Sequence, residues 1–119
     1  MSGIPLVIID PDLLRNQMMA EKLADDYKVF FATSIEKGLD LIKKNNAKVV
    51  ILEIDSIKEY IDCIRKINQL FFKIKIIIIS NTIEKNIFHK LKVLGIKNYF
   101  LKKHNSIEYI IEKIKKLNV

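Results

Sequence analysis

The stretch "YKVFFATSIEKGLDLIKKNNAKVVILEID" (Tyr27–Asp55) decides the fold, because its hydrophobic period changes twice. Val29-Phe30-Phe31 is a short apolar run rich in strand-forming residues. Ile35, Gly38, Leu39 and Ile42 then recur at intervals of three, four and seven, which defines one face of a helix. Val49-Val50-Ile51-Leu52 returns to a continuous run, as expected for a strand covered on both faces. Thr33-Ser34-Ile35-Glu36 fits a capping box at the start of the helix. The unit is strand, helix, strand.

The same alternation continues outward in both directions. Leu6-Val7-Ile8-Ile9, Ile76-Ile77-Ile78-Ile79 and Tyr99-Phe100-Leu101 are further strand candidates. Helical faces are read from Ile57, Ile61, Ile64 and Ile67, from Ile87, Leu91 and Leu94, and from Ile107, Ile110, Ile111 and Ile114. Leu14, Met18 and Leu23 give the expected inner stripe of the first helix. Gly95 stands where a left-handed residue closes a helix, and Asn105 or Ser106 is placed to cap the last one. The result is βαβαβαβαβα over residues 1–119, a single domain without an internal repeat. Such alternation implies a parallel sheet with right-handed crossovers and helices on both faces. Two strand orders fit, the flavodoxin-like 2-1-3-4-5 and a Rossmann-like half, and either puts a site at the carboxyl ends of the strands.

Composition narrows the classes. The 119 residues are 50% hydrophobic and 29% charged, with three Gly and two Pro, the profile of a soluble globular chain. Apolar runs such as Ile76–Ile79 fall far short of the roughly 20 residues of a bilayer span. No basic-then-apolar leader opens the chain. The single cysteine, Cys63, forms no internal disulfide and reads as a packing residue, which fits a cytoplasmic location. The net charge of +7 is unevenly spread: residues 1–80 carry +1 and residues 81–119 carry +6. That last third is either a solvated face or a surface for an acidic partner or phosphate backbone. The chain has no Gly-x-Gly-x-x-Gly after its first strand, no P-loop and no nucleophile elbow, so a metabolic enzyme is not expected. His89 and His104 have no partner at metal-ligand spacing and read as surface or cap residues. No helix-turn-helix or cluster of stacking aromatics supports direct nucleic-acid binding.

The strand ends carry the chemistry. Asp10, Pro11 and Asp12 follow the first strand, and Glu53, Ile54 and Asp55 close the third. Ser80-Asn81 ends the fourth, and the fifth reads Tyr99-Phe100-Leu101-Lys102. Carboxylates so gathered suit a divalent cation bound through oxygen, with Lys102 and Ser80 able to hold an anion against it.

With these ends, and with "LGIKNYFLKK" (Leu94–Lys103) beside Tyr27–Asp55, the chain from Leu6 to Leu117 resembles the CheY-like receiver domains of bacterial two-component response regulators. The resemblance implies a flavodoxin-like (βα)5 three-layer sandwich of sheet order 2-1-3-4-5. By position, Asp10 matches the first acid of the family's acidic pair, Ser80 its hydroxyl, Tyr99 its switch aromatic and Lys102 its lysine. The departures are as informative. Glu53 stands at the phospho-acceptor Asp, Pro11 at the second acid, and Lys103 at the proline after the lysine. The loop after the third strand shrinks to "IDSIKEY".

Glutamate reaches one methylene further than aspartate, which misplaces it for in-line transfer, a step that depends on positioning and charge neutralisation. The resemblance therefore implies an atypical receiver, not an enzyme, acting without phosphorylation as a protein-interaction module. A Mg²⁺ site built from Asp10, Asp12 and Glu53 is expected to be weak or absent, with no other cofactor. Glu53 is expected either to mimic the phosphorylated state beside Lys102 and Ser80, or to form a structural ion pair with Lys102. Asp55 is the rescue candidate for phosphorylation. The expected contact surface, for a protein partner or a second copy, is the face built from the last two helices and the fifth strand, with Lys90, Lys92, Lys97, Lys103 and Tyr99. A phosphorylatable receiver served by a histidine kinase and a nucleic-acid-associated basic module are the alternatives. Whether the domain stands alone or belongs to a longer chain is open.

Overall fold

Among the described residues ten elements alternate: β1 (Ile4–Ile9), α1 (Leu13–Leu23), β2 (Tyr27–Ala32), α2 (Ile35–Asn45), β3 (Val49–Ile54), α3 (Ile57–Leu70), β4 (Lys75–Ser80), α4 (Ile87–Val93), β5 (Asn98–Leu101) and α5 (Ile107–Lys115). The computed structural model describes residues 3–55, 57–71, 73–81 and 86–117. The side chains of Ile57 and Ile87, expected on helix faces, lie outside the described set. The five strands form one parallel sheet in the order β2-β1-β3-β4-β5. This is the flavodoxin-like order, and it excludes the Rossmann-like half.

The continuous apolar runs have a direct structural cause. Along β1, Val7 and Ile9 join one core with Val50, Leu52, Ile76, Ile78 and the helix residues Ile42, Ile64, Ile67 and Leu91. Leu6 and Ile8 join the other, with Val49, Ile51, Ile77, Ile79, Met19, Leu23, Ile110 and Ile114. Thus α2, α3 and α4 cover one face and α1 and α5 the other, so the central strands are apolar along most of their length. Gly38 is the tightest point of this packing, since a Cβ there would overlap the Ile9 side chain. Cys63 is buried in the first core, and burial pushes its thiol pKa up, in keeping with a packing role. Among the described residues no helix is long and apolar enough to cross a membrane.

Helix ends follow local chemistry. Gly95, at φ +78°, closes α4 while Ile96 N–H donates to Leu91 O and Gly95 N–H to Lys92 O, the paired bonds of a Schellman motif. Ser106 caps α5 by accepting from Tyr109 N–H at 3.1 Å. Ser34, not Thr33, caps α2, accepting from Lys37 N–H at 3.3 Å. The expected capping box is shifted by one residue, which puts Lys37 rather than Glu36 at the reciprocal position.

The first helix corrects its expected stripe. Leu14 is 76% exposed and Met18 38%, and the inner residues are Asn16, Met19 and Leu23. Asp12 sets this phase as N-cap, with Oδ1 accepting from Leu14 N–H at 2.9 Å and Arg15 N–H at 3.2 Å. Asn16 then faces inward because its Nδ2 donates to Asp10 O at 2.9 Å and to Ala32 O at 3.2 Å, tying the ends of β1 and β2 together.

Candidate functional site

The site lies at the carboxyl ends of β1 and β3. Asp10 immediately follows β1 and Glu53 is the penultimate residue of β3; both side chains point to the α1–α5 face, on the pleat opposite Ile9 and Leu52. Asp10 is wholly buried and Glu53 is 3% exposed. Arg15, in the first turn of α1, reaches back over them. Its Nε donates to Asp10 Oδ2 at 3.0 Å and its Nη2 to Asp10 Oδ1 at 3.1 Å, a two-pronged pair. The same Nε is 3.3 Å from Glu53 Oε2 and 3.9 Å from Asp12 Oδ2. Lys102 Nζ approaches Glu53 Oε2 from the other side at 2.8 Å. Both contacts to Oε2 are ion pairs without hydrogen-bond alignment, so its charge is balanced while the oxygen stays unsaturated. Pro11, Asp12, Arg15, Glu53, Ile54, Asp55, Tyr60 and Lys102 line a cleft of about 310 Å³.

Burial pushes both acids toward the neutral form, and their partners separate them. For Asp10, hydrogen bonds from Arg15, from Glu53 and from Asp12 N–H outweigh burial and hold its carboxyl below the usual range. For Glu53, burial and the neighbouring Asp10 raise the pKa, and Lys102 only partly offsets them. The two act as an acid pair in which Glu53 is the member that takes the proton.

The sheet order matches known folds. No protein-family model matches this chain, and no curated protein does either. Among solved structures, a response regulator from Thermotoga maritima superposes with a TM-score of 0.82 at 19% identity over 96% of each chain. An orphan response regulator of H. pylori gives 0.81 at 15% identity over 97% of each chain. A DNA-binding response regulator of the LuxR family from Staphylococcus aureus gives 0.77 at 27% identity, over 95% of this chain and 97% of that one. The chain has the response-regulator receiver fold.

In this fold the expected positions are brought together unequally. Asp10 and Lys102 both lie beside Glu53. Ser80 is wholly buried, opposite Ile54 in the β3–β4 register, and does not line the cleft; its carbonyl accepts from Lys102 N–H at 2.9 Å and so fixes the base of that lysine. Tyr99 is half-buried against the core under α2, α3 and α4. Asp55 is exposed at the cleft rim, where its Oδ1 accepts from Asn81 Nδ2 at 2.9 Å. Lys90, Lys92, Lys97 and Lys103 are all exposed, on and around α4 and β5.

The acids expected as metal ligands each have other partners. Among the described residues no three His, Cys, Asp or Glu side chains are placed to hold a metal ion. Asp12 is turned to cap α1, and Asp10 has both oxygens on Arg15. Arg15 was not legible as a site residue from spacing to the strand ends. Its one signal is a basic side chain in the first turn of a helix, where the dipole disfavours it and an acidic partner must compensate. Asn16 was likewise missed, because a polar residue gives no apolar period.

Proposed function

We propose that this receiver domain signals without phosphorylation, as a protein-interaction module whose acid pocket is permanently neutralised. The observation that carries the reading is the 2.8 Å approach of Lys102 to Glu53 at the phospho-acceptor position. A phosphoryl group would have to be attacked by a carboxylate free to align with the donor. Glu53 is instead buried, held between two cations and inclined to protonation, which weakens it as a nucleophile. The lysine that would otherwise greet an incoming phosphoryl group is already engaged.

The recognition surface in this reading is the α4–β5–α5 face, in the third of the chain that carries a net +6. It suits a protein partner with an acidic surface, met in the cytoplasm, and such binding weakens as salt rises.

The test is exposure of the chain to a small-molecule phosphodonor with Mg²⁺, read by intact mass. No gain of a phosphoryl group is expected while the fold is retained. A stable gain that disappears in Glu53→Gln or Asp55→Asn would overturn the reading in favour of an ordinary phosphorylated switch.

A further inference from the structure

Three carboxylates, Asp10, Asp12 and Glu53, come within 4 Å of one atom, and that atom is Arg15 Nε, at 3.0, 3.9 and 3.3 Å. We propose that the Arg15 guanidinium stands where a divalent cation would otherwise be drawn by these acids, so that the domain carries its own counter-ion and is indifferent to Mg²⁺. The proposal rests on the same acid pocket as the functional reading but does not require that phosphorylation be lost.

The acceptor inventory supports it. A carboxylate offers about four lone-pair sites. Asp10 Oδ1 already accepts from Asp12 N–H at 2.9 Å and from Arg15 Nη2, and Oδ2 accepts from Arg15 Nε. Asp12 Oδ1 is spent on the backbone of α1. A hard cation needs several oxygens at short distance, and it would have to expel the guanidinium to reach them. Arg is suited to stay: its charge is permanent and its fork is pre-shaped for a carboxylate. Arg15 and Lys102 place two positive charges over the three acids. The arginine is anchored by α1 rather than by a loop, and Asp12 fixes the start of that helix.

The experiment is a titration of the full chain with Mn²⁺, without phosphodonor, followed by calorimetry and by the rise in melting temperature relative to an equal ionic strength of Na⁺. The wild-type chain is expected to show no saturable site. Arg15→Gln, which frees the acids, is expected to show a saturable Mn²⁺ site, about tenfold or more above any residual binding by the wild type. Arg15→Lys, which keeps the charge, is expected to remain close to wild type. Equal binding by all three chains, or no gain in Arg15→Gln, overturns the proposal. Should Arg15→Gln unfold through repulsion of its acids, Mn²⁺ is expected to refold it where Na⁺ does not, and failure to do so overturns the proposal equally. Because no phosphodonor is present, this result is independent of the mass measurement that tests phosphorylation.

Discussion

Lys102 Nζ lies 2.8 Å from Glu53 Oε2 and joins the residue after β5 to the penultimate residue of β3. Glu53 is almost wholly buried, so this contact offsets a desolvation cost rather than adding to a solvated surface pair. Lys102→Met is expected to destabilise the domain by about 1–3 kcal/mol near neutral pH, because Arg15 still touches Glu53 and prevents a fully orphaned charge. Urea unfolding of the two chains measures it; an unchanged midpoint would show that the pair contributes nothing.

The acid pair sets a pH dependence of definite sign. Glu53 titrates above its ordinary value of 4.5, so between 4.5 and its raised value the folded chain holds a proton that the unfolded chain has released. Stability therefore falls as pH rises through that window. Asp10 titrates below its ordinary 3.8, so its contribution is present above that value and lost as acid carries the pH through its lowered one. The unfolding midpoint is expected to rise on mild acidification from neutral and to fall again in stronger acid. Glu53→Gln cannot ionise, and should flatten the upper limb while leaving the lower one. A wild-type slope retained in that variant would assign the effect to other groups.

Tyr27 fastens the start of β2 to the end of α5, its buried Oη donating to Ile114 O at 2.6 Å. Tyr27→Phe keeps the ring and leaves the carbonyl without that donor. The expected loss is about 1–3 kcal/mol by denaturant unfolding.

Gly38 lets α2 approach β1. Gly38→Ala adds a methyl into Ile9 and is expected to cost about 1–3 kcal/mol despite better helix propensity. Combining it with Ile9→Val removes one of the overlapping atoms, so the double variant should be more stable than the sum of the single losses implies. Strict additivity in that cycle would mean that the backbone, not Ile9, absorbs the methyl.

The elements were legible because their signals are local. Apolar runs buried on both faces stay continuous, and Ile35, Gly38, Leu39 and Ile42 repeat at helical spacing whatever surrounds them. The first helix was misread where locality failed. Leu14 and Met18 look like a core stripe, yet the cap at Asp12 and the bonds from Asn16 to the ends of β1 and β2 rotate them outward. A buried asparagine satisfied by carbonyls from two strands has no hydrophobic signature.

What the sequence by itself determined is the alternation of strands and helices, and with it the gathering of Asp10, Glu53 and Lys102 at one edge, since a parallel sheet must present its strand ends together. What only the tertiary structure decided is which cation those acids hold. Arg15 is five residues from Asp10 but thirty-eight from Glu53. Its place over both follows from the phase of α1 and the pairing of β1 with β3, and charge balance in a buried pocket depends on distances of a few ångströms that no spacing along the chain specifies.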